Sequence, residues 1–117
     1  GPYYRWMFFA AGPVEAALSN ISLGFTVPEE RQRMVGYGST EDLVNALEYA
    51  VTQSEYIAGE SFSAADVYVG SQIGWGMMFG TLEKRPAFQA YWQRINSRPA
   101  AIRAREIDDG LAAAQQK

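Results

Sequence analysis

One stretch constrains this chain more than any other: Ser63-Ala64-Ala65-Asp66, followed by a nearly all-apolar run to Phe79. Ser63 and Asp66 have the spacing of a capping box. In that motif the hydroxyl accepts from the amide three residues on, and the carboxylate reaches back to the amide of the cap. Phe62 before the cap and Val67 in the fourth helical position have the spacing of a hydrophobic staple. From residue 67 to 79 the only polar side chains are Tyr68, Ser71, Gln72 and the indole N–H of Trp75. Apolar residues on every face predict a helix buried in the middle of a domain. Gly70, Gly74, Gly76 and Gly80 each cost roughly 1 kcal/mol of helix propensity relative to Ala. Such a helix depends on its packing, and the glycines predict close approach of its neighbours. A membrane span is the rival reading. The run falls short of ~20 residues and is interrupted by Gln72 and four glycines, which argues against it.

The remaining segments support the same fold class. Residues 3–11 read as an aromatic-rich helix, with Tyr4, Phe8 and Ala11 on one face and Trp6, Phe9 and Ala10 on another. Gly12-Pro13 is expected to break or kink it, since Pro13 lacks a backbone donor and clashes one turn back. Pro13 also suits the first turn of a helix continuing through Leu18. The chain opens almost inside this helix, which leads us to expect further sequence upstream. Residues 20–38 are polar and broken by Gly24, Pro28, Gly36 and Gly38, with a short helix predicted over 28–35. The charges there read as a solvated face. Ser39-Thr40-Glu41-Asp42 is a second box, opening a helix to about Gln53 with the apolar stripe Leu43, Ala46, Leu47, Ala50 and Val51. Arg85-Pro86 starts another, in which Phe88, Tyr91, Trp92 and Ile95 follow i, i+3, i+4, i+7 spacing. Ser97-Arg98-Pro99 closes it and opens a last helix over residues 99–106. Asp108-Asp109-Gly110 is expected to end the order, leaving residues 111–117 as a short helix or a frayed tail. No strand-like alternation and no repeat occurs. The expected fold is all-α, a bundle of about five to six helices around a central buried helix starting at Ser63.

Two absences limit the chemistry. The 117 residues contain no cysteine, so there is no disulfide framework, thiol nucleophile or thiolate metal site. They contain no histidine, which excludes a Ser-His-Asp triad, a histidine base and nearly all zinc sites. Neither a catalytic residue nor a metal ligand is assigned. The net charge of −3 comes with scattered Lys and Arg and no basic face, so no nucleic-acid partner is expected. No signal peptide or membrane segment is read, and a cytoplasmic protein is expected.

Phe62-Ser63-Ala64-Ala65-Asp66, opening a buried helix that carries Trp75, resembles the C-terminal all-helical domain of bacterial-type glutathione transferases. The likeness is most specific over residues 56–99, where the Arg98-Pro99 junction also matches. It is looser in the first half and fades after Ile107. The resemblance implies that the thioredoxin-like N-terminal domain of that family is absent from residues 1–117. That domain binds glutathione, the co-substrate, and supplies the Tyr, Ser or Cys that stabilises the thiolate. The helical domain builds most of the wall for a small apolar electrophile and binds no cofactor alone.

By position, the resemblance places Phe8, Gly12 and Glu15 of the first helix, and Trp75 and Phe79 of the central helix, on that wall. Relatives carry a His or another polar residue where this chain has Gly12 and Glu15, which weakens the case for direct glutathione contacts there. Trp75 and Phe79 have an equally simple reading as core of a buried helix, while Ser63 and Asp66 read as structural caps. The resemblance also implies a homodimer through the first two helices. Two function classes stay open: half of an enzyme that conjugates glutathione to electrophiles, inactive alone, or a non-catalytic binding or scaffold module of the same fold. An unrelated helical bundle would need the box, the tryptophan and the Arg-Pro spacing to coincide by accident.

Overall fold

Asp66 ties the fold together. It is fully buried, and its carboxylate accepts three hydrogen bonds. Oδ1 takes the Ile57 amide at 2.8 Å and the Tyr91 hydroxyl at 2.6 Å, and Oδ2 takes the Ser63 amide at 3.0 Å. One side chain therefore joins a loop, a helix start and a second helix. Burying a carboxylate is tolerable only with such partners. The Ile57 amide is delivered by a tight turn in which Tyr56 and Gly59 exchange backbone hydrogen bonds.

The computed structural model describes residues 1–115. It is all-helical, with six α-helices: α1 (Pro2–Phe9), α2 (Glu15–Ser22), α3 (Thr40–Thr52), α4 (Ala64–Phe79), α5 (Pro86–Asn96) and α6 (Pro99–Gln115). Ser63 is the N-cap of α4, as the sequence predicts. Ser63 and Asp66 occupy the positions of a capping box, but only the carboxylate half closes as a hydrogen bond. Ser63 Oγ is buried without a partner, and the Asp66 amide donates to the Ser63 carbonyl instead, at 3.0 Å. The second box is also half made: Ser39 Oγ accepts from the Asp42 amide at 3.1 Å. The staple contributes little burial, because Val67 stays exposed while Phe62 packs edge-on against Tyr56 and under the Arg98 guanidinium.

The buried face of α4 carries Ala65, Asp66, Val69, Ile73 and Met77, with three of its glycines between them. Those glycines admit neighbours, as expected. A Cβ on Gly74 would collide with the Trp92 ring, one on Gly70 with Ile95 Cδ1, and one on Gly76 would lie 2.8 Å from Leu82 Cβ. Gly80 has a different role from the one its place in the apolar run suggests. It lies beyond the helix with φ +78°, the left-handed conformation that ends a helix, and the Leu82 amide turns back to the Gly76 carbonyl.

The expectation of a helix buried all round is corrected. Val67, Trp75, Met78 and Phe79 are exposed on the outer side of α4. The composition is apolar on both sides, but only one side has helices against it.

The break expected at Gly12-Pro13 is instead absorbed within one continuous helical path. Residues Ala10–Val14 form a π-helical segment between α1 and α2, with Pro13 inside it. The wider turn accommodates a residue that has no N–H and would clash in a regular α-helix. The short helix expected over 28–35 is a 3₁₀ helix, Glu29–Met34. The last helix does not stop near Asp108-Asp109-Gly110. It runs to Gln115, because one glycine costs only about 1 kcal/mol against the helix formers around it. Of the tail assigned to residues 111–117, the final two lie outside the described residues.

Two arginines of the α5 region clamp α3. Arg85 donates to Asn45 Oδ1 (2.8 Å) and contacts Glu48 (3.5 Å), while Arg94 donates to the carbonyls of Glu55 (2.7 Å) and Val51 (3.5 Å). The Val51 carbonyl is one of those left over in the last turn of α3. No helix among the described residues is long and apolar enough to cross a membrane.

Candidate functional site

The cleft that gathers the predicted residues lies between α2 and the outer side of α4. Its volume is about 440 Å³, within the range typical of small-molecule sites. Helix α2 contributes Glu15, Leu18, Ser19 and Ser22, and α4 contributes Gln72, Trp75 and Phe79, with Thr81 just beyond its end. The spacing explains the convergence. Ser19 and Ser22 lie four and seven residues after Glu15, and Gln72, Trp75 and Phe79 follow one another at three and four.

Trp75 and Phe79 are 61% and 66% exposed, so the core reading of these two residues is overturned. Their ring centroids are 5.5 Å apart and the planes are tilted by 53°, leaving apolar faces turned outward. Glu15 sits at the polar edge, where its Oε2 accepts from the Tyr68 hydroxyl at 2.8 Å. That hydrogen bond to the carboxylate raises the Tyr68 phenol above its ordinary pKa. Its proton is directed at Glu15.

Phe8 and Gly12 are exposed but do not line this cleft. Phe8 lies over Tyr4, the ring centroids 6.4 Å apart and the planes 23° from parallel. The expectation that Phe8, Gly12 and Glu15 share one face assumes regular α-helical spacing. The π-helical turn at Ala10–Val14 changes the phase between Phe8 and Glu15.

Tyr68, Gln72, Ser19 and Ser22 were not among the predicted site residues. Their spacing from Trp75 and Glu15 was the available signal, but α4, apolar on all sides, did not reveal which side stays open. The arrangement can bind a flat apolar group, but it holds no activated nucleophile. Among the described residues, no three His, Cys, Asp or Glu side chains cluster to hold a metal ion.

A family model described as "Glutathione S-transferase, C-terminal domain" matches residues 18–99. No curated protein and no solved structure matches the chain.

Proposed function

We propose that this chain, which belongs to the glutathione S-transferase C-terminal domain family, forms the apolar co-substrate wall of a glutathione transferase. The observation that carries the reading is the outward-facing Trp75–Phe79 pair beside Glu15 in a cleft of ligand size. Residues 1–117 act as one helical domain, and a thioredoxin-like domain supplies the glutathione site and the thiolate-stabilising group. The parent conjugates glutathione to small apolar electrophiles in the cytoplasm and pairs with a second copy through the first two helices. The helical domain binds no cofactor, nucleic acid or membrane on its own.

Thiolate stabilisation needs a donor aimed at the sulfur. The Tyr68 hydroxyl beside Glu15 donates to that carboxylate. The 117 residues alone therefore hold an aromatic ligand without turning it over, and they are not retained on immobilised glutathione. Titration with the neutral dye N-phenyl-1-naphthylamine tests the cleft. Trp75→Ala and Phe79→Ala should each weaken binding severalfold, with Phe8→Ala as an unaffected control. Equal affinity in all four proteins would overturn the assignment. A scaffold role is the second reading, favoured by the exposed Val67 and Met78 on the same helix. It predicts no dye binding that depends on Trp75.

A further inference from the structure

The cleft carries a single formal charge. Among the described residues Glu15 is the only ionisable one that lines it, and the other polar groups are the neutral side chains of Ser19, Ser22, Gln72 and Thr81. Among the described residues no Lys or Arg lines it, and the chain as a whole carries −3. The guanidinium of Arg85 does not line the cleft and is held by Glu83, Glu48 and Asn45. Two aromatic faces, both more than half exposed, stand in the same cleft. Aromatic faces attract cations through the ring quadrupole. Tyr68 engages Glu15 through Oε2 alone, and Glu15 lines the cleft.

We propose that this cleft selects aromatic ligands bearing a cationic group, such as arylalkylammonium compounds, over neutral and anionic ligands of the same shape. The ring lies against Trp75 and Phe79, and the ammonium is placed toward Glu15. Charge on the carboxylate and the two ring faces act in the same direction. A carboxylate or sulfonate on the ligand meets the opposite field with no basic side chain to receive it. This assignment rests on the cleft being a binding site and names the class of ligand that it takes.

Three ligands with one ring system test it: 2-naphthylmethylamine, 2-naphthalenemethanol and 2-naphthoate, titrated at neutral pH and low salt against the 117-residue chain. Shifts of the Trp75 indole N–H resonance give the dissociation constants. The protonated amine should bind about three- to tenfold more tightly than the alcohol, and the naphthoate more weakly than either. Raising the salt should narrow the gap, because the carboxylate is exposed. Glu15→Gln should remove most of the amine's advantage over the alcohol and leave the alcohol unchanged, while Trp75→Ala should weaken all three. If the alcohol binds at Trp75 but the amine gains nothing, or if Glu15→Gln leaves the amine's advantage intact, the charge selection is wrong and the cleft stands. If none of the three binds, the cleft is not a ligand site and both readings fall.

Discussion

Replacing Asp66 strands three donors at once. The Ile57 amide and the Tyr91 hydroxyl lie in the interior, and the Ser63 amide lies at the start of α4. A buried donor left unsatisfied costs about 1–3 kcal/mol, so Asp66→Ala should destabilise the fold by about 3–5 kcal/mol. Ser63→Ala should cost less than about 1 kcal/mol, because its hydroxyl makes no hydrogen bond that the substitution would remove. Urea denaturation of the two variants checks this asymmetry. Equal losses would mean that the hydroxyl caps the helix after all. Tyr91 adds a pH signature. Burial first, then the hydrogen bond to Asp66, raises its phenol well above the ordinary tyrosine value of 10.0. The fold therefore gains from the neutral phenol below pH 10.0 and loses that gain as the pH rises above it. Wild-type stability should fall more steeply above pH 10 than that of Tyr91→Phe, as read from denaturation midpoints. The sequence made the box legible through its spacing alone. It could not show that Asp66 would also serve a loop amide and a tyrosine twenty-five positions away, because those partners meet only in the packed structure.

At the scale of elements, α4 is a helix held by its neighbours. Gly74→Ala would raise helix propensity by about 1 kcal/mol, yet it drives a methyl into the Trp92 ring. Overpacking of this kind costs about 1–3 kcal/mol, and we expect a net loss of up to about 2 kcal/mol. Trp92→Leu in the same background should recover part of it. A Gly74→Ala variant more stable than wild type in urea would show that the helices separate at little cost. Helix positions were readable because the apolar stripes of α3 and α5 face one core. The open side of α4 was not, because a helix apolar on both sides gives no direction. The end of α6 was missed for a related reason. Its distal turns bury nothing, so neither an apolar stripe nor a capping motif marks where they stop.

For the whole molecule, the exposed aromatic surface of α1 has the largest consequence. Tyr4 and Phe8 stand out from the body as a stacked pair. We expect this pair to form part of a contact with a second copy. Sedimentation from micromolar to millimolar concentration should show association, and Tyr4→Ser with Phe8→Ser should abolish it without loss of helicity. A wild-type chain that stays monomeric throughout would assign that face to another partner. The aromatic pair and the cleft belong to one continuous helical path, yet they are set in different phases by the turn at Ala10–Val14. That turn works as a spacer in a ruler. Deleting one residue upstream of it would rotate Tyr4 around the axis and alter what α1 meets. Glu15 and Leu18 would keep their places, because Val14 and Ala17 anchor them in the core. Within one helical path, the face we expect to meet a partner and the face we propose to line the cleft are thus set against each other by that single turn.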